Sequence, residues 1–217
     1  VIVAALLGQE HFEESGFITF LSFLQLVFIS ILAWFVFKTR RGTSESIDWK
    51  APYVLWIIIS IGFMFLAADE LCGIHETADI LIHKILGMQE TDLSDRLDDA
   101  IVAFYVVIAL AFLYVYRTEL KHYRAAFPLL GVGFCLMLVS IAVDAFTNRQ
   151  DYTTRCWRSL PVEFYSSYPP EFPIILRSWL MVIEDALKVI GEGVFIGFFH
   201  HCLIIAERFS KERRPGE

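Results

Sequence analysis

Residues 17–37 read FITFLSFLQLVFISILAWFVF, a run without a single charge, and Lys38, Arg40 and Arg41 follow it directly. At 1.5 Å per helical residue the run is about 31 Å long, the thickness of a bilayer's hydrocarbon core. Four further apolar runs occupy about 51–70, 100–116, 125–146 and 184–206. What remains is too short for a separate soluble domain. The 217-residue chain therefore reads as a single integral membrane domain, 1–217, an all-α polytopic helix bundle with five transmembrane helices. Composition agrees: 56% of residues are hydrophobic and mean hydropathy is +0.56, beyond the apolar share of soluble domains. The net charge of -7 is concentrated in the acidic stretch from Glu90 to Asp99, which reads as a solvated loop leading into a helix N-terminus. No nucleic-acid signature is present.

Two segments exceed one crossing. The second helix is expected to continue outward from Ala51 through His83 to Gly87. The last, Pro173 to Ala206, is too long for one perpendicular span, so its first turns are expected to project or tilt. The opening Val-Ile-Val-Ala-Ala-Leu-Leu lacks an initiator Met, which suggests missing residues or a removed leader, but the apolar run is too short to diagnose a signal peptide.

Orientation follows from Lys and Arg, the residues that set topology. One side holds eleven: Lys38, Arg40, Arg41, Lys50, Arg117, Lys121, Arg124, Arg208, Lys211, Arg213 and Arg214. The other holds Lys84, Arg96, Arg149, Arg155 and Arg158. The N-terminus is thus expected outside and the C-terminus in the cytoplasm. Trp34, Trp49 and Trp56 then fall near the inner boundary, where indoles anchor. Cys72 and Cys156 face outside, where a disulfide can persist, and two unpaired thiols are an equal alternative. The aromatic loop 147–172 is expected to fold over the outer face.

With that topology the intramembrane charges share a depth. Asp69 and Glu70 end span two, Asp98 and Asp99 open span three, Asp144 ends span four, and Glu184 and Asp185 lie at the outer level of span five. Ionisable residues at membrane depth are functional candidates. Asp69, Glu76 and His83 are seven apart and His75 and Asp79 four apart, so on one continuous helix they would share faces. Lys188 stands four residues from both Glu184 and Glu192, suited to an ion pair. Gly193-x-x-x-Gly197 has the spacing that allows close helix approach.

The motif Asp69-Glu70-x-x-x-Ile74-His75-Glu76, with Glu184-Asp185-x-x-Lys188-x-x-Gly191 in the last span, resembles an uncharacterised group of bacterial multi-pass membrane proteins. Those carry an acid-Glu and His-Glu pair after an early span and Glu-Glu-x-x-Glu-x-x-Gly in a late one. Here Asp185 and Lys188 stand where that pattern has its second and third Glu. The resemblance implies a protein of the bacterial cytoplasmic (inner) membrane and assigns no reaction.

Three readings of the acids follow. The first is a divalent metal cation held by Glu70, His75, Glu76 and Asp79 with Asp144, Glu184 or Asp185, since carboxylates and imidazole together suit zinc, iron or manganese. The second is an accessory or assembly subunit of a larger inner-membrane complex, with the lipid bilayer and other membrane-complex subunits as partners. In the third the acids and Lys188 form a hydrated network holding helices together. A hydrolase of the alkaline-ceramidase type, with Ser140 and Asp144 beside zinc, fits poorly because His200 and His201 are adjacent and lie toward the inner side.

Overall fold

A computed structural model describes residues 16–42, 48–86, 97–147 and 172–212, and these are helical with no strand among them. In chain order the helices are α1 Phe17–Arg41, α2 Val54–Cys72, α3 Ile74–Leu86, α4 Leu97–Val115, the single turn α5 Arg117–Leu120 with a 3-10 turn Lys121–Ala126, α6 Phe127–Thr147 and α7 Phe172–Glu212. Four stretches are long and apolar enough to cross a membrane: α1, α2, the run Arg117–Asp144 and α7. Phe104–Val115, within α4, is a shorter apolar helix. This is the make-up of a multi-pass membrane protein. The loop 147–172 lies, after Thr147, outside the described residues until Phe172, and so does Cys156; Cys72 is exposed at the end of α2.

Two glycines punctuate the helices. Gly42 (φ 70°) follows α1 and its N–H reaches the Lys38 carbonyl at 3.2 Å. Gly73 (φ 56°) follows α2 and donates to the Asp69 carbonyl at 2.8 Å. Left-handed backbone is strained for residues with a Cβ, so glycine is the usual terminator. The expected continuous helix from Ala51 to Gly87 is therefore broken at Gly73, and α3 begins anew at Ile74. Asp69 lies before the break while Glu76 and His83 lie after it, so the seven-residue stripe is not one helix face. The long last helix is borne out: α7 has 41 residues, about 61 Å of helix. Pro128 and Pro173 sit in the first turns of α6 and α7, where no intrahelical N–H bond is lost.

The described helices form two compact units. One draws on Val1–Ser22 and Pro128–Phe195, the other on Phe23–Phe127 and Ile196–Glu217. In the first, α6 and α7 approach closely at glycines. A Cβ on Gly133 would lie 2.6 Å from the Phe195 ring, and one on Gly191 would lie 3.1 Å from Met137 Sδ and 3.4 Å from Leu136 Cβ. The expected Gly193-x-x-x-Gly197 contact is not the one used. Gly193 is exposed, and a Cβ on Gly197 would meet nothing within 4 Å among the described residues.

In the second unit α1 carries a buried stripe of Leu26, Ile29, Ala33 and Val36, spaced three and four apart, with Phe37 beside it. Ser30 and Ser60 bind α1 to α2 reciprocally: Ser30 Oγ donates to the Ser60 carbonyl at 2.7 Å and Ser60 Oγ to the Ser30 carbonyl at 2.9 Å. Such interhelical bonds in membranes contribute about 0.6 kcal/mol each.

Gly133→Ala should destabilise the protein by about 1–3 kcal/mol, because the methyl overpacks Phe195. Gly131→Ala, with open space around it, should be neutral or stabilise by up to about 1 kcal/mol. Thermal unfolding in detergent would compare them, and equal effects would contradict the packing.

Candidate functional site

Polar side chains gather at three places, each within one unit. The tightest centre is in the second unit. Arg40, at the end of α1, meets Glu119, in the turn after α4, through two parallel bonds: Nε to Oε1 at 2.7 Å and Nη2 to Oε2 at 2.8 Å. Trp56 Nε1, in the first turn of α2, donates to Glu119 Oε1 at 3.2 Å. The Glu119 carboxylate is 2% exposed and the Arg40 side chain 10%. Bidentate guanidinium–carboxylate geometry is the strongest form of this pair, and it satisfies charge that burial would otherwise penalise.

Aromatic rings close around it. Tyr123 meets Trp56 edge-on at 4.7 Å, and Phe199 meets Trp56 at 6.3 Å. Phe209 of α7 lies under the Arg40 guanidinium at 6.0 Å, while His122 contacts the Phe209 ring and donates from Nδ1 to the Glu119 carbonyl at 3.1 Å. One ion pair thus gathers the ends of α1 and α7, the start of α2 and the α4–α6 connection. Trp56, expected as an interfacial anchor, is fully buried here instead.

The second centre lies in the first unit. Thr147 Oγ1 donates to Glu184 Oε2 at 3.4 Å, and Ser140 Oγ donates to the Glu184 main-chain carbonyl at 3.1 Å. Arg177 Nε caps α6 by donating to the Thr147 carbonyl at 2.9 Å, a cation at a helix C-terminus. Asp144, Asp185 and Lys188 lie within electrostatic reach of Glu184. Ser140 thereby ties α6 to α7. The third centre is a single deep bond: Ser22 Oγ of α1 donates to Glu192 Oε1 of α7 at 2.7 Å, both side chains being buried.

Of the expected site residues, Asp144, Glu184 and Asp185 come together in the first unit. Glu70 is half-buried in the last turn of α2 in the second unit. His75, Glu76 and Asp79 occupy the first turns of α3, and their side chains lie outside the described residues. Asp69 is buried one turn before Gly73, near Tyr105. Among the described residues no three His, Cys, Asp or Glu side chains form a group that could hold a metal ion.

The sequence reading passed over Arg40, Glu119, Arg177, Thr147 and Ser22. Glu119 carries a usable signal: it is the one acid in the basic segment from Arg117 to Arg124. Ser22 carries a weaker one, as a polar position in an apolar run.

Glu119→Ala strands the buried guanidinium and should cost about 3–5 kcal/mol, as should Arg40→Ala, whereas the double variant should lose far less than the sum. A double-mutant cycle by thermal or denaturant unfolding in detergent measures the coupling; additive losses would show the pair to be unimportant.

A family model described as a domain of unknown function, DUF8692, matches residues 4–203. Among curated proteins and solved structures, none matches the chain. Because the family model spans nearly all 217 residues, from before α1 to within the last turns of α7, the chain belongs to the DUF8692 family.

Proposed function

We propose that this protein is an accessory or assembly subunit of a larger complex in a bacterial cytoplasmic membrane, with its acids serving as ties between helices. The observation carrying this reading is how the carboxylates are used. Glu119 is bound by Arg40 and Trp56, Glu192 by Ser22 and Glu184 by Thr147, each from another helix or segment. Carboxylates used this way hold helices in register. Exposed apolar side chains along α4, among them Phe104, Val107, Leu110 and Tyr114, offer surface to lipid and to neighbouring helices.

The proposed topology has five crossings, the N-terminus outside and the C-terminus in the cytoplasm. Arg40 ends α1, Trp56 opens α2, Glu119 follows α4 and Phe209 lies near the end of α7, and all four meet. Since α2 leads away from that level and Glu119 is back at it, the chain returns between Cys72 and Tyr116. The 19-residue α4, about 28 Å long, is the apolar helix available for the return. The excess of Lys and Arg at this end supports a cytoplasmic assignment.

A second reading keeps a divalent cation at Glu70, His75, Glu76 and Asp79, with Asp144, Glu184 and Asp185 as further candidate ligands. What favours it is the break at Gly73, which sets His75 and Asp79 one turn apart at the start of a separate short helix.

Tagged full-length protein extracted from its native membrane in mild detergent should carry other membrane proteins at constant stoichiometry; a monodisperse chain alone would overturn the subunit reading. Metal analysis of the same sample should find substoichiometric metal. Stoichiometric metal that disappears in both His75→Ala and Glu76→Ala would replace it with the cation reading. For topology, an impermeant maleimide should label Thr77→Cys in intact cells and Lys121→Cys only after permeabilisation, in a background lacking the native cysteines.

A further inference from the structure

The segment that joins α4 to α6 has two unlike faces. It consists of α5, Arg117–Leu120, and the 3-10 turn Lys121–Ala126, and its side chains divide by spacing. Glu119, Tyr123 and Ala126, four and three residues apart, are buried. Arg117, Lys121 and Arg124 repeat that spacing two residues out of phase and are exposed. Two residues turn a helix by about 200°, so the three cations stand opposite the buried face. Along the axis they follow one another at about 6 Å, which is four residues of α-helix or three of 3-10 helix. The inward face is fixed: Glu119 is bonded to Arg40 and Trp56, and the Tyr123 ring lies against Trp56. The outward face is not. Arg117 donates from Nη1 to the Tyr114 carbonyl at 3.3 Å and lies 4.4 Å over that ring, while the side chains of Lys121 and Arg124 bond to no described residue. Glu119 is the one acid in the segment, and Arg40 already neutralises it.

Apolar surface brackets the cations along the chain. Tyr114 and Val115 before them and Phe127 and Leu129 after them are exposed, and Phe127 opens α6, within a run apolar enough to cross a membrane. Exposed apolar side chains of such a run belong in hydrocarbon, which leaves the cations between them at the level of the lipid phosphates. We propose that Arg117, Lys121 and Arg124 form a binding face for the headgroup of an anionic phospholipid. Charge decides the headgroup. A zwitterionic lipid brings its own ammonium, which three cations repel, whereas the phosphate of a lipid such as phosphatidylglycerol has no cation of its own. The planar donors of arginine match phosphate oxygens, and lysine adds a point charge. An acidic peptide would also answer the charge, but the apolar side chains on both flanks set this face against lipid. The site requires only that α6 enter a bilayer near Phe127. It needs no protein partner and no particular leaflet, so its failure leaves the subunit reading standing, and the reverse.

The full-length protein, reconstituted in nanodiscs of equal parts phosphatidylglycerol and phosphatidylethanolamine and released for native mass spectrometry, should retain phosphatidylglycerol in preference. Lys121→Gln should lower that preference about fivefold, the scale of one cation at a lipid surface, and adding Arg124→Gln should bring it close to parity. Arg208→Gln with Lys211→Gln removes the same charge from exposed positions near the end of α7 and should leave the preference nearly unchanged. All four side chains are exposed, so both double variants should fold, with thermal unfolding midpoints close to that of the unaltered protein. Equal retention of the two lipids by the unaltered protein, or an equal loss of preference in the two double variants, would overturn the proposal. So would loss of the bound lipid on adding excess inorganic phosphate before release, which would make a soluble anion the ligand.

Discussion

The second unit of this protein depends on a buried charge that cannot be left alone. Glu119, 2% exposed, would carry a desolvation penalty of several kcal/mol without a partner, and Arg40 answers it with two parallel hydrogen bonds while Trp56 adds a third. Because these groups belong to segments far apart in sequence, satisfying one carboxylate brings the end of α1, the start of α2 and the α4–α6 connection together. Phe209 and His122 extend the same junction to the end of α7. The pair's net stabilisation is modest next to hydrophobic packing, but the penalty for a misplaced partner is large. It therefore acts on register more than on total stability.

Elsewhere the same economy recurs in weaker forms. Ser30 and Ser60 each donate to the other's carbonyl, which satisfies two hydroxyls and fixes the height of α2 against α1. Glu184 is tied through its side chain to Thr147 and through its carbonyl to Ser140, so one residue of α7 is held to α6 at two points about two turns apart. Glycines at 133 and 191 let these helices approach, with Phe195 and Met137 filling the space that a side chain would take. In hydrocarbon there is no hydrophobic gain from helix association, so close packing and satisfied polar groups carry the specificity.

Polar groups also finish a helix end in the first unit. Arg177 caps α6 by donating from Nε to the Thr147 carbonyl, and the Thr147 hydroxyl donates in turn to Glu184, so the end of α6 is held from two positions on α7.

Much of the fold was legible in the sequence because membrane helices announce themselves locally: an uncharged stretch such as 17–37 has few alternatives in a bilayer, and the five apolar runs correspond to α1, α2, α4, α6 and α7. The shared position of Asp144, Glu184 and Asp185 was also foreseeable, since depth along a span follows from counting residues. The break at Gly73 was not, because a glycine in a helical pattern is tolerated far more often than it terminates, and only the left-handed φ of 56° separates the two. Pairings were least legible. Arg40 reads as one of eleven topology-setting cations, and nothing local links it to Glu119, 79 positions away. By itself the sequence determined that the chain is helical and apolar, with Asp144, Glu184 and Asp185 at neighbouring levels of their helices. Only the tertiary structure decided which acid meets which partner, because burial makes an unpaired charge costly and the partner is whichever side chain packing brings within hydrogen-bond distance.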